Sequence, residues 1–190
     1  MAEHVSSPQL GIRPATPREI DEVVAVVNAA YRAGEGRGWT TEADLLGGQR
    51  IDATMLSELM SSDETTLLVA ESDGRIIGCC ALTIRQGDRT ASFGLLAVDP
   101  VAQGGAIGSQ LLEAAEHQAT SYGCIRVELD VIDARAELVA WYQRREFAPT
   151  GTTRPFPYGD ERFGLPKRAD LQFMTLSKSL TPSTHVTAEP

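Results

Sequence analysis

A glycine-rich turn constrains this chain more than any other feature of its sequence. The turn, Gln103–Gly108 (QGGAIG), lies between an apolar run that ends at Val98-Asp99-Pro100 and a stretch with helical periodicity. Glycine lets a backbone approach a ligand closely, and the free N–H groups at a helix N-terminus attract anions. The turn therefore predicts either a diphosphate-binding site or simply a tight connection between a strand and a helix.

Two common phosphate-binding motifs do not match this turn. It lacks the Gly-Lys-Ser/Thr ending of a P-loop, which argues against a nucleoside triphosphatase. It also lacks the GxGxxG spacing and lies far from the first strand, which argues against a Rossmann dinucleotide site.

Periodicity and turn residues predict an alternation of strands and helices along the chain. Thr16, Pro17 and Glu19 indicate a helix start, and Asp-Gly and Gly-Asp pairs mark two hairpin turns. The predicted strands cover residues 11–15, 65–71, 75–84, 89–98, 127–131, a stretch from Phe147, and 171–176. The first predicted helix begins at Thr16, and the others cover residues 52–60, 107–122 and 134–145. Asp133 is the predicted cap of the last helix, and a loop is predicted over 152–168.

This order predicts an α/β fold, a mixed and mostly antiparallel sheet with helices on both faces. The strand before the glycine turn and the strand after its helix should form one parallel pair, because a helical crossover joins them. A single domain is expected over residues 11–180, between a flexible leader (1–10) and a disordered tail (181–190).

Composition excludes several classes of partner. A net charge of −9 argues against nucleic acid, which normally requires a basic face. The 3 cysteines, Cys79, Cys80 and Cys124, lack the spacing of a disulfide framework or a zinc site.

No apolar run approaches the roughly 20 residues that span a bilayer, and the N-terminus lacks the pattern of a signal peptide. The expected location is the cytoplasm, with no membrane partner.

Two motifs together resemble the GNAT superfamily of acyl-CoA N-acyltransferases. The first is Leu96–Pro100 (LAVDP) followed by Gln103 and Gly108 at the family's offsets. The second is Glu137–Phe147 (ELVAWYQRREF), which is similar to the family's "A…lYe+lGF" stretch. The resemblance covers about Ile12 to Leu180 in element order, and it departs from the family at Ala106 and Glu146, where glycine is usual.

The resemblance implies acetyl-CoA as co-substrate and no metal. It assigns the diphosphate to the N–H groups of the turn and the pantetheine to the backbone of the preceding strand. The implied cofactor-binding residues are Leu96, Ala97, Val98, Gln103, Gly104, Gly105, Ala106, Ile107, Gly108 and Ser109.

The family's reaction is direct attack by an amine on the thioester carbonyl. Tyr142 stands at the family's tyrosine position and is the candidate proton donor to the leaving thiolate, since a phenol is neutral at working pH. The alternative for Tyr142 is core packing beside Trp141. Glu42 is the candidate base, with Asp44 considered beside it, and the alternative for both is a solvated charge or a helix cap.

The acceptor is expected to contact two loops. The loop after the first helix carries Trp39 and Arg50, and the late loop carries Arg162. These residues suggest a small polar acceptor with an amine and an anionic group, and Arg50 or Arg162 is a candidate clamp for a carboxylate. The same arginines equally suit surface pairs with nearby acids. A free amino acid, a polyamine, an antibiotic and a protein N-terminus or lysine all remain open.

The resulting prediction is an N-acetyltransferase that acts on a primary amine of a small polar molecule or peptide. The alternative is a GNAT-like module that binds acyl-CoA without turnover, which the departures at Ala106 and Glu146 permit. A homodimer built by the final strands is a further implication of the resemblance.

Overall fold

The structure is a computed structural model, and it describes residues 10–32 and 41–180. Its helices are α1 (Ile20–Arg32), α2 (Ala53–Met60), α3 (Ile107–Ser121) and α4 (Ala136–Gln143). Its strands are β1 (Gly11–Pro14), β2 (Leu46–Gly47), β3 (Thr65–Ser72), β4 (Arg75–Arg85), β5 (Thr90–Val98), β6 (Arg126–Ile132), β7 (Ala148–Pro155), β8 (Leu165–Pro166) and β9 (Gln172–Ser179). The predicted leader up to residue 9, the predicted tail 181–190 and Trp39 lie outside the described residues.

One large sheet organises the chain. Its strand order is β1-β3-β4-β5-β6-β9-β7, and β2 pairs separately with β8. Neighbouring strands of the large sheet are antiparallel except β5 and β6, which pair in parallel from Thr90–Arg126 to Ser92–Glu128. Because α3 connects these two strands, the predicted crossover is confirmed, and so is the predicted fold class.

The sheet carries a hydrophobic core on each face. On one face, Val23 of α1 and Leu56 of α2 belong to a cluster with Val69 of β3. On the other face, Leu111 of α3 belongs to a cluster with Leu82 of β4. All five side chains are fully buried, and full burial of one such side chain is worth about 1.5–3 kcal/mol. Within the described ranges, no helix has both the length and the apolar character needed to cross a bilayer.

Local signals set several helix ends where the sequence places them. The backbone N–H of Thr16 donates to Glu19 Oε2 at 2.6 Å ahead of α1. Asp52 Oδ1 accepts from the backbone N–H of Met55 at 2.8 Å and so caps α2. Gly123, with φ of 78°, follows the end of α3 in the left-handed conformation that commonly ends a helix.

Two predicted boundaries are wrong. Helix α4 begins at Ala136, and Asp133 does not cap it, because its Oδ2 accepts from Gln172 Nε2 at 2.8 Å. Strand β7 continues to Pro155, where a loop is predicted from Thr152. Every residue of β7 is exposed, so the strand lacks the alternation of apolar and polar residues that reveals a half-buried strand.

Strands β5 and β6 separate towards their C-terminal ends, and this separation positions the site. Their ladder stops at the pair Ser92–Glu128. On the opposite edge, the register of β5 against β4 shifts between the pairs Cys79–Ala97 and Ala81–Gly94. Leu95 lies in this bulge with a φ of 51°. A bulge bends its strand and increases the local twist, which turns this half of β5 away from β6.

Candidate active site

The gap between β5 and β6 opens into a cleft with a volume of about 230 Å³. Side chains from both faces of the sheet line it, including Tyr31, Glu42 and Arg50 on the side of α1 and Tyr142 from α4. Because the ladder with β6 stops at Ser92, the remaining edge of β5 has no strand partner on that side among the described residues. A peptide-like ligand can therefore form backbone hydrogen bonds along this edge.

A second cavity, which we call the cradle, lies at the N-terminus of α3. Its lining consists of Val98, Gln103, Gly104, Ala106, Ile107, Gly108, Ser109, Trp141 and Arg145. Within the part of the chain that the structure describes, the backbone N–H groups of residues 104–108 have no acceptor. They lie at the positive end of the helix and are available to an anion.

The two cavities follow one another along the same two elements. On β5, Leu96 lines the cleft and Val98 lines the cradle. On α4, Tyr142 lines the cleft, whereas Trp141 and Arg145 line the cradle. A long ligand can therefore extend from the turn into the gap between the strands.

The structure brings most of the implied cofactor-binding residues to these cavities. Leu96 lines the cleft, and the members that line the cradle are Val98, Gln103, Gly104, Ala106, Ile107, Gly108 and Ser109. Gln103 Nε2 donates to the carbonyl of Val98 at 3.1 Å and so ties the turn to the strand end. Ala97 belongs to the core beneath α1, and Gly105 is not part of the cradle lining.

Ala106 and Glu146, the two departures from the family's glycine pattern, both have a backbone conformation that favours glycine. Ala106 is the N-cap of α3 with φ of 58° and ψ of 12°, and Glu146 has φ of 71°. Both values lie in the left-handed region, which glycine adopts without the steric cost of a Cβ. The backbone keeps the glycine-type conformation at both positions and holds a side chain in it.

Arg145 is a cradle residue that the sequence analysis missed. Its Nη2 donates to Ser109 Oγ at 2.6 Å, and its Cζ lies 3.6 Å from the centroid of the Trp141 ring. No carboxylate among the described residues forms an ion pair with it. Burial lowers the pKa of Arg145, because desolvation disfavours the charged form. The guanidinium is thus a partly buried cation beside N–H groups that also attract an anion.

Tyr142 is buried in the wall of the cleft, with a relative exposure of 5%. Its ring makes edge contacts with Trp141 and Phe147, at centroid distances of 5.0 and 5.5 Å. Burial, followed by the nearby Tyr31, raises the pKa of Tyr142 well above its ordinary value. The phenol is therefore protonated across the physiological pH range and can act as a donor towards the cleft.

Glu42 lies in the cleft wall between two arginines. Its Oε2 accepts from Arg32 Nη1 at 3.2 Å, and its Oε1 is 3.4 Å from Arg135 Nη1. The three side chains are between 9% and 12% exposed. An ionised carboxylate offers about four acceptor sites, so Glu42 retains capacity for a water or an ammonium group. Asp44, the alternative, is exposed and is not part of the cleft lining.

The structure separates the arginines that the sequence suggests as clamps. Arg50 lines the cleft, and its guanidinium lies 5.2 Å from the centroid of the Tyr31 ring. Arg162 is 71% exposed and pairs with Asp160 at 2.6 Å. It thus forms a surface ion pair, which was the alternative to a carboxylate clamp. Trp39, the third predicted acceptor residue, lies outside the described residues.

Three further charged residues line the cleft without having been predicted. They are Arg135, which precedes α4, and the pair Asp130 and Arg154, which join β6 to β7 across β9 at 2.7 Å. Arg154 also lies 4.5 Å from the Phe173 ring centroid. The alternation along β6 assigns Asp130 to a polar face, but no sequence signal shows that this face opens into a cleft.

Comparison with known proteins gives a consistent family assignment. The model of the "Acetyltransferase (GNAT) family" matches residues 23–147. The chain is 31% identical over 109 residues to an "IAA acetyltransferase" of Azospirillum brasilense, covering 57% of this chain and 69% of the relative. It is 32% identical over 97 residues to an "Amino-acid acetyltransferase" of Pseudomonas putida, covering 51% of this chain and 22% of that longer protein.

Solved structures share the whole fold at low sequence identity. The ribosomal-protein-S18-alanine N-acetyltransferase of Escherichia coli superposes with a TM-score of 0.68 at 13% identity, covering 94% of this chain and 98% of that one. An N-acetyltransferase of Staphylococcus aureus Mu50 gives a TM-score of 0.67 at 17% identity, with 91% and 99% covered. At such identities the likeness concerns the fold.

Proposed function

Because the chain belongs to the acetyltransferase (GNAT) family, we propose that it moves the acetyl group of acetyl-CoA directly onto a primary amine of a small polar molecule or peptide. One observation carries the proposal. The cradle at the N-terminus of α3 leads along β5 and α4 to a cleft that Tyr142 lines.

The residues of both cavities fit the two parts of such a co-substrate. The unpaired N–H groups of residues 104–108 and the guanidinium of Arg145 would hold the diphosphate. The free edge of β5 beyond Ser92 would pair with the amide groups of pantetheine. When bound, acetyl-CoA supplies an acetyl group on a thioester that an uncharged amine can attack.

Tyr142 is the residue that we assign to the leaving sulfur. Its hydroxyl is protonated at working pH because burial raises its pKa, so it can donate a proton or a hydrogen bond as negative charge develops. Edge contacts with Trp141 and Phe147 hold the ring in place. Substitution of a general acid typically costs about 10²–10⁴-fold in rate.

Glu42 is the residue that we assign to the acceptor amine. It lines the cleft, and its remaining acceptor sites suit an ammonium or a water that carries the amine's proton away. Arg32 and Arg135 hold the carboxylate in place.

One named relative supports an amine acceptor of small size, since the Pseudomonas putida protein is called an amino-acid acetyltransferase. The Azospirillum brasilense relative, an IAA acetyltransferase, supports acetyl transfer. Relatives that are acetyltransferases also disfavour a binding module without turnover. A cytoplasmic location is part of the proposal, and the buried free thiols of Cys79, Cys80 and Cys124 are consistent with it.

The test combines binding with turnover. Calorimetric titration with acetyl-CoA should show micromolar affinity, and NAD should not bind. Tyr142→Phe should leave acetyl-CoA affinity within about twofold and lower kcat in a thiol-release assay by about 10²-fold. An unchanged kcat would remove Tyr142 from the chemistry, and the absence of acetyl-CoA binding would refute the proposed function itself.

A further inference from the structure

Arg50 lies where the cleft meets another cavity, which is more apolar than the cleft and is not the cradle. It lines both spaces, is half-buried, and has no ion-pair partner among the described residues. Its guanidinium instead lies over the Tyr31 ring, with Cζ 5.2 Å from the ring centroid. A partly buried cation without a counter-ion is poorly compensated, so an anionic ligand at this position would be favourable.

The surrounding charges strengthen this preference. Glu42 is paired with both Arg32 and Arg135, so its negative charge is already balanced without Arg50. Arg154, the other arginine of the cleft, is matched by Asp130. Among the described residues that line the cleft, arginines thus outnumber carboxylates, although the whole chain has a net charge of −9. Such a local field attracts an anionic substrate and fixes its orientation.

The neighbouring cavity, which we call the side pocket, has a volume of about 290 Å³ and continues from the cleft along β5. Ile51, Met55 and Leu59 line one side of it, and Leu95 and Gly94 belong to the other. A Cβ added to Gly94 would meet nothing within 4 Å, so the wall leaves open space there. Its polar side chains other than Arg50 are the hydroxyls of Thr83 and Ser92. An aliphatic or aromatic side chain suits this lining.

We infer that the acceptor is a small amine that carries both a carboxylate and an apolar side chain, as an apolar α-amino acid does. Its carboxylate contacts Arg50, its side chain occupies the side pocket beside Met55, and its amine reaches the cleft between β5 and β6. The inference rests on the proposed function, because the amine is useful there only if the cleft holds an acyl donor.

The test is calorimetric titration of the full chain, in the presence of coenzyme A, with three probes. L-Leucine has both recognition groups, L-leucinamide lacks the carboxylate, and L-glutamine replaces the apolar side chain by a polar one of similar length. L-Leucine should bind about tenfold or more tighter than either of the other two.

Three variants assign these preferences to residues. Arg50→Gln should weaken the binding of L-leucine by about 10–100-fold and the binding of L-leucinamide by less than about threefold. Arg50→Lys keeps the charge and should retain most of the preference for L-leucine over L-leucinamide. Met55→Gln preserves shape and should reduce the preference for L-leucine over L-glutamine to less than about threefold. Arg75→Gln, at an exposed arginine of the hairpin between β3 and β4, is the matched control and should change nothing.

Several outcomes would overturn the inference. They are L-leucinamide binding as well as L-leucine, Arg50→Gln weakening both equally, and no L-leucine binding at about 10 mM. Acetylation of other amines without L-leucine binding would refute the inference and leave the proposed function standing. Arg50-dependent binding of L-leucine without release of coenzyme A from acetyl-CoA would instead support the acceptor site and count against transfer.

Discussion

Replacing Glu146 by glycine should stabilise the protein, although glycine usually destabilises. Glu146 has φ of 71°, follows the end of α4 and has a side chain that is 84% exposed. A non-glycine residue in the left-handed region costs about 1–2 kcal/mol, and the extra freedom of glycine in the unfolded chain offsets about 0.5–1 kcal/mol of the gain. The lost contact with Lys178, at 3.7 Å, contributes little, because the Glu146 side chain is exposed and Lys178 keeps its closer partner Glu116 at 2.8 Å. The net expectation for Glu146→Gly is a gain of about 0.5–1 kcal/mol.

The matched control is Glu113→Gly, at an exposed glutamate inside α3. Right-handed helical backbone gives glycine no steric advantage there, so this variant should lose about 0.5–1 kcal/mol. Chemical denaturation followed by circular dichroism measures both values, and thermal melts should separate the two variants by roughly 3–6 °C. A loss of stability in Glu146→Gly similar to that of Glu113→Gly would refute the argument from backbone strain.

Two further predictions concern the cradle. Ala106→Gly should raise the free energy of unfolding by about 0.5–1 kcal/mol without weakening the binding of acetyl-CoA, since the methyl group both strains the backbone and narrows the cradle. Weaker acetyl-CoA binding in calorimetry would contradict this. Arg145→Gln should raise the Kd for acetyl-CoA by about 10–100-fold through loss of a charge-assisted contact, whereas Arg144→Gln, at the exposed neighbouring arginine, should stay within about twofold. Equal effects of the two substitutions would show that only the overall charge of this helix end matters.

The sequence predicted the parts of the fold that follow from short-range chemistry. Asp52 and Gly123 mark helix ends because their side chain or backbone freedom acts within a few residues. The parallel pair of β5 and β6 follows from the handedness and length of the crossover through α3. The start of strand β7 was predicted near Phe147, but its end was not, because its residues are exposed and it lies at the edge of the sheet, where no buried face imposes a pattern.

The candidate site was harder to predict because it depends on contacts between distant segments. The turn and Tyr142 lie within motifs that are contiguous in the sequence. Arg145 was missed because its meaning comes from Ser109, 36 residues earlier, which lies beside its guanidinium. Glu42 and Arg135 are 93 residues apart, and nothing local shows that they meet. Charges acquire a role here only when the topology brings them together.

The two departures from the glycine pattern also separate two roles that glycine can have in such motifs. At Glu146 the side chain points into solvent, so a glycine there would serve the backbone conformation alone. At Ala106 the residue lines the cradle as well as having a positive φ, so a glycine there would serve both conformation and the close approach of a diphosphate. A methyl group satisfies neither role fully, yet the N–H groups of residues 104–108 still lack other acceptors. The partly buried cation of Arg145 lies beside them, which supplies attraction for an anion where the turn has one glycine fewer.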